Sequence, residues 1–286
     1  MHKHFAFILA LVFAALPLCA AEMESKPVAP YFEKFQPLKA PQPAGLVLQK
    51  GDRLAICGDS ITEQKMYSRV MEIYLAVCVP QLEVVVRQYG WGGEQAPGFP
   101  NRMTNDCLRF QPTIATACYG MNYHGYRPYE AGIGDRYRKA STAIVQAFKA
   151  AGARVIQGSS GCVGVKNQPN WDAAGVEAKN LNLTELRNIG ISIATQEKVG
   201  FADVFWPMLT VGHVARQKHD PNYAVAGKDG MHPGWAGSFI MGYAFLKSFG
   251  LDGEIGTFTV DLKGGKAAAV KAAFVPVTHT LQIAPE

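Results

Sequence analysis

The chain has 286 residues and a formal net charge of +5, and 48% of it is hydrophobic. That length and apolar content suit one α/β domain with some decoration. The basic excess is mild and no Lys/Arg cluster is interleaved with aromatics, so nucleic acid is not expected as a partner.

Residues 1–21 carry the pattern of a secretory signal peptide. Lys3 supplies a positive start, residues 5–18 form an apolar run, and Cys19-Ala20-Ala21 offers small residues before Glu22. The run is shorter than the roughly 20 residues that span a bilayer, and no other segment is long enough. Cleavage after Ala21 and a secreted or periplasmic protein without stable membrane insertion are therefore expected. Five cysteines would remain: Cys57, Cys78, Cys107, Cys118 and Cys162. The odd number leaves at least one unpaired. A Cys107–Cys162 disulfide is conceivable, but no CxxC or zinc-like spacing occurs.

Residues 22–50 hold five prolines without periodicity and read as an extended arm. Strand and helix signals then alternate. Residues 53–57 are a short apolar run before Gly58, a buried strand. Residues 66–79 show helical spacing and stop before Pro80. Residues 82–89, with three consecutive valines, read as a strand, residues 100–110 as a short helix, and residues 113–118 as a third strand. An amphipathic helix over 136–151 closes at Gly152. Residues 154–157 and 201–205 read as further strands, with helices over 179–199 and 235–249. This alternation predicts a parallel sheet covered on both faces, with ligands at the carboxyl ends of its strands. The domain is expected over 51–250. A small β appendage, built from the alternating stretch 253–262 and the β-rich stretch 273–283, is expected over 251–286.

Two motifs carry chemistry. Gly58-Asp59-Ser60 follows the first strand, and Asp229-Gly230-Met231-His232-Pro233 precedes the last helix. A serine hydroxyl needs a base to take its proton and a third group to hold that base in the right tautomer. Ser60, His232 and Asp229 are the right types, and an Asp three residues before a His can reach back to its ring. Each motif also has a bland reading: Asp59-Ser60 would cap a helix, and the second motif would serve as a turn. Asp203 and Asp220 are substitutes for Asp229.

Four blocks in order extend the pattern: Ile56-Cys57-Gly58-Asp59-Ser60-Ile61-Thr62, Gly90-Trp91-Gly92-Gly93-Glu94, Tyr119-Gly120-Met121-Asn122, and Asp229 to Pro233. With them the chain resembles the SGNH hydrolases, the GDSL esterase/lipase family, over residues 53–250. The resemblance implies a three-layer α/β/α sandwich with a mainly parallel five-stranded, flavodoxin-like sheet. It implies Ser60 as nucleophile, His232 as general base and Asp229 as its orienting acid. It nominates an oxyanion hole from the backbone N–H groups of Ser60 and Gly93 and the side-chain amide of Asn122. Gly93 is favoured over Gly92 by its place before Glu94. Such a mechanism needs no metal and no cofactor, and His213, His219 and Asp220 have no ligand frame around them.

Many relatives have Asp after the block-three Asn, where this chain has Tyr123, which bears on loop rigidity and substrate choice. Asp59, Trp91, Tyr123, Tyr126 and Arg127 are candidate substrate contacts, the aromatics by stacking on sugar rings. A small-molecule or glycan ester is the expected partner. The expected activity is an exported serine esterase acting on short acyl groups, acetyl foremost, on carbohydrate. The alternatives are a lipase or thioesterase, an acyltransferase, and a non-catalytic glycan-binding protein. Acyl length, alcohol portion, oligomeric state and the role of the appendage are not encoded in these motifs. Asn182-Leu183-Thr184 also matches a glycosylation sequon.

Overall fold

The computed structural model describes residues 22–166, 169 and 171–251, and the backbone of two further strands, Gly256–Asp261 and Lys266–Lys271. The signal-peptide pattern lies outside the described residues.

Five parallel strands form the sheet: β1 (Arg53–Gly58), β2 (Val85–Gly90), β3 (Ile114–Cys118), β4 (Arg154–Gly158) and β5 (Gly200–Ala202), in the order β2-β1-β3-β4-β5. Every residue of β3 is buried, and so is β1 from Leu54 onward. Both lie inside the sheet with helices on either side, which is why they read as unbroken apolar runs. The edge strand β2 alternates exposed and half-buried residues instead.

The helices are α1 (Ser60–Glu63), α2 (Met66–Val77), α3 (Phe99–Asp106), α4 (Ala131–Ala150), α5 (Ala173–Glu197), α6 (Phe205–Lys218) and α7 (Trp235–Ser248). The chain steps from β1 to β2 in one direction and from β1 toward β5 in the other. Right-handed crossovers then place helices on opposite faces. One pair, α2 and α7, packs together, as does the pair α4 and α5. The order reverses between β1 and β3, the switch point where such sheets open a crevice.

Several element boundaries differ from the sequence reading. Helix α4 begins at Ala131 and α5 at Ala173, where the Asp172 carboxylate accepts from Gly175 N at 2.9 Å and caps the first turn. Residues 80–82 are a 3-10 turn, so β2 starts at Val85. Helix α6 replaces the end of the strand expected over 201–205, because the apolar stretch after Gly200 reads as one strand through Phe205. The backbone turns helical at Val204, and Pro207 fits the first turn, where a missing N–H costs nothing.

The proline-rich arm is part of the fold rather than a lead-in. Phe32 and Phe35 are fully buried in the main core and pack on Trp206. The arm is also pinned by polar contacts. Asn188 bonds Gln36 O and Leu38 N, and the fully buried Arg187 pairs with Asp203 and donates to Leu38 O.

Beyond Leu251, β6 (Gly256–Asp261) and β7 (Lys266–Lys271) form an antiparallel hairpin. The strand paired with β6 is the Ala-rich stretch, and the β-rich stretch 273–283 lies outside the described residues. All five described cysteines are free thiols. Cys107 faces Cys57, Sγ to Sγ 4.0 Å, rather than Cys162. Asn182 is buried, its amide donating to His124 O and Arg127 O, so the sequon is not presented to solvent.

Candidate active site

Ser60 is the first residue of α1, at the end of β1. Asp59 caps that helix: its carboxylate accepts from Ile61 N at 3.0 Å. Helix α1 lies so close to the end of β2 that a Cβ on Gly90 would fall within the backbone of Glu63. The hydroxyl of Ser60 is thereby presented at the switch point.

The second motif forms a tight loop before α7. Asp229 Oδ1 accepts from the backbone N–H of Met231 (3.0 Å) and of His232 (2.9 Å), while Oδ2 accepts from His232 Nδ1 at 2.6 Å. The turn needs glycine at 227, where φ is +81° and a Cβ would meet His232 O. Gly164 N donates to Gly230 O at 2.8 Å and ties the loop to the segment after β4.

His232 Nε2 lies 2.8 Å from Ser60 Oγ. With Nδ1–H donated to Asp229, Nε2 carries the lone pair and accepts from the serine hydroxyl. Burial works to raise the Asp229 carboxyl, but the His232 and Met231 N–H bonds and the imidazole outweigh it and hold it below the usual range. The acid therefore stays ionised beside the ring. A hydroxyl, an imidazole and a carboxylate joined in this order can pass a proton from the first to the second while the third stabilises the resulting cation. Asp203 is engaged by Arg187, and Asp220 accepts from Asn222 N, so neither stands in for Asp229.

Gly93 and Asn122 follow the carboxyl ends of β2 and β3, the strands on either side of β1. Gly93 has φ +70°, and a Cβ there would meet open space, so glycine is required by backbone conformation and not by crowding within the chain. At Gly92 a Cβ would press on the Glu63 carboxylate. Asn122 Nδ2 donates to Glu94 O at 3.2 Å.

The candidate substrate contacts separate into two groups. Asp59 is only 3% exposed and serves as a cap. Burial pushes its carboxyl up to about 7, against the Ile61 N–H and the charge of His232. Tyr123 is buried with its ring edge-on to Tyr137. Both side chains are therefore buried and engaged within the chain itself. Tyr126 is partly buried, its hydroxyl bonded to Asn122 Oδ1 at 3.2 Å. Arg127 pairs with Glu130 at 3.4 Å and sits near the surface. Trp91 is 60% exposed, with Arg102 over its ring. Trp235 is 58% exposed and lines, with Gln64, Met66, Tyr223, Lys228 and His232, a depression of about 670 Å³.

Sequence reasoning missed one cluster. The Glu94 carboxylate takes two bonds from Arg102, at 2.6 and 2.8 Å, and one from the Tyr119 hydroxyl at 2.8 Å. Glu94 stood inside a motif block, but its partners come from α3 and the end of β3, which only the folded chain unites. Among the described residues no group of three or more His, Cys, Asp or Glu could hold a metal ion, and no helix is long and apolar enough to cross a membrane.

A five-stranded parallel sheet with a serine at its switch point is the architecture of an SGNH-type α/β hydrolase. The chain belongs to the GDSL-like lipase/acylhydrolase family, whose model matches residues 56–238. Solved structures share the fold at low identity. The acetylxylan esterase Axe2 from Geobacillus stearothermophilus is 19% identical with a TM-score of 0.58, over 72% of this chain and 98% of that one. An alpha/beta hydrolase, LAE5, from the metagenome of Lake Arreo is 18% identical with a TM-score of 0.56, over 73% and 100%. A gut microbial diltiazem-metabolizing enzyme is 24% identical with a TM-score of 0.64, over 82% of this chain and 53% of that one. No curated protein matches the sequence.

Proposed function

We propose that the protein is an exported serine esterase that removes short acyl groups, acetyl foremost, from carbohydrate. Ser60 attacks the ester carbonyl while His232 takes its proton. The negative oxygen is received by the N–H groups of Ser60 and Gly93 and the Asn122 amide, donors of a kind worth about 2.7–4 kcal/mol each. His232 then protonates the departing alcohol and activates water to release the acid. The observation that carries this reading is the unbroken Ser60–His232–Asp229 chain of hydrogen bonds, at 2.8 and 2.6 Å.

The carbohydrate part rests on two exposed indoles. Trp91 adjoins Gly92-Gly93, and Trp235 stands in the same depression as His232. Such rings stack on sugar faces, and the likeness to an acetylxylan esterase agrees with them. Export rests on the pattern in residues 1–21.

The test is a panel of acetylated xylo-oligosaccharides, acetylated pectin fragments and long-chain lipid esters, with the released acid identified directly and Ser60→Ala as the blank. Acetate release from the oligosaccharides, lost in Ser60→Ala, is expected. Preference for long acyl chains would overturn the carbohydrate reading. Turnover retained by Ser60→Ala would overturn the esterase reading.

A further inference from the structure

The two sides of the Asn122 amide face different partners. Its Nδ2 donates to Glu94 O at 3.2 Å, and its Oδ1 accepts from the Tyr126 hydroxyl at 3.2 Å. A backbone carbonyl can only accept. Turning the amide over would set Oδ1 against Glu94 O, two acceptors face to face. The Glu94 carbonyl therefore selects the sense of the amide, and the Tyr126 O–H closes the other side. An amide nitrogen has two hydrogens, and Glu94 uses one, which leaves the second for a developing oxyanion.

Both partners are themselves held. The Glu94 carboxylate is gripped by Arg102 and Tyr119, and Arg102 Nη2 also donates to Tyr89 O at 2.8 Å, at the end of β2. The Glu94 N–H donates to Trp91 O, and Gln95 Nε2 to Asn122 O. Tyr126 packs its ring on His124 and Trp171, with centroids 4.6 and 5.6 Å away. Its hydroxyl also lies 3.5 Å from Met231 Sδ, so it stands between the Asn122 loop and the His232 loop. Its φ of +55° is unusual for a bulky residue, a strained conformation that the surrounding packing imposes. Burial and the charges of Asp59 and Asp229 push the phenol up to about 12, so it remains a donor at working pH.

We propose that Tyr126 is a positioning residue of the oxyanion hole, holding the Asn122 amide in the sense chosen by the Glu94 carbonyl, and not a sugar-stacking contact. This inference rests on the esterase reading above. It assigns Tyr126 a role that acts through Asn122, and a double-mutant cycle separates that role from the contact with Met231.

The experiment measures kcat and KM for p-nitrophenyl acetate with Tyr126→Phe, Asn122→Ala and the double variant. Thermal midpoints confirm that all three fold. Tyr126→Phe keeps the ring and removes only the hydroxyl. In the otherwise native protein it is expected to lower kcat about tenfold, the worth of one hydrogen bond, with KM unchanged. In the Asn122→Ala background the same change is expected to have no further effect. An equal loss in both backgrounds, a rise in KM alone, or no loss at all would overturn the proposal. Ser60→Ala separates the two levels. Turnover that survives it removes the esterase reading, whereas an inactive Ser60→Ala with an additive cycle removes only the role of Tyr126.

Discussion

Ser60 Oγ and His232 Nε2 are 2.8 Å apart although 172 residues separate them in the chain. The first comes from the turn after β1 and the second from the loop before α7, and the parallel sheet is what brings them to one edge. The third member is local: Asp229 reaches the same ring from three residues back. One half of the site therefore depends on global folding and the other on a single turn.

That turn gives the first prediction. Asp229→Asn keeps the shape of the side chain but not its charge, and it lets the ring take the other tautomer. It is expected to lower kcat by on the order of 10³–10⁴, as for orienting acids of this kind. The thermal midpoint should barely move, since the Asp229 side chain is about half exposed. Steady-state kinetics beside a melting curve checks both halves of this expectation.

How much was legible beforehand follows from where each signal resides. Ser60, Asp229 and His232 sit in short contiguous motifs, so residue type and spacing were enough to nominate them. Strands β1 and β3 were readable because burial on both faces leaves a plain apolar run. Helix α6 was not, because a buried helix start and a buried strand look alike over five residues. Tyr123 and Tyr126 were nominated as sugar contacts from composition, and only packing shows one against Tyr137 and the other bonded to Asn122. The Glu94–Arg102–Tyr119 cluster unites α3 with the segments that follow β2 and β3, and no local pattern announces such a meeting. The packing of the arm was hidden for the same reason: prolines mark an extended chain but not what Phe32 and Phe35 are buried against.

The buried Asp59 predicts a pH-dependent stability. Its folded value of about 7 lies above the ordinary carboxylate value of 3.8. A raised acid contributes stability that is fully present below the unfolded value and is lost as pH rises through the folded one. Asp59→Asn preserves the cap, because its amide oxygen can still accept from Ile61 N. The variant is expected to melt like the wild type near pH 4 and above it at pH 8, by on the order of a few kcal/mol. Denaturation curves at the two pH values test this, and equal stability of the two proteins at pH 8 would contradict it.

The anchoring of the arm gives a third prediction. Arg187 is fully buried and pairs with Asp203 while donating to Leu38 O. Arg187→Ala would leave the Asp203 carboxylate without its ion-pair partner and remove one of the polar ties between the arm and α5, the bonds of Asn188 remaining. A loss of roughly 3–5 kcal/mol is expected, typical of breaking a buried pair from one side. Proteolysis should then cut first within residues 22–50. Early cleavage elsewhere, with the arm intact, would show that the Asn188 bonds and the aromatic contacts of Phe32 and Phe35 hold it without Arg187.

The most direct measurement is reaction with a fluorophosphonate, followed by peptide mass spectrometry. Only a serine whose proton has a base to receive it reacts readily with this reagent. One adduct per chain is expected, on Ser60, with none in Ser60→Ala and a much slower reaction in His232→Ala. An unlabelled native protein, or an adduct on a different serine, would contradict Ser60 as the nucleophile.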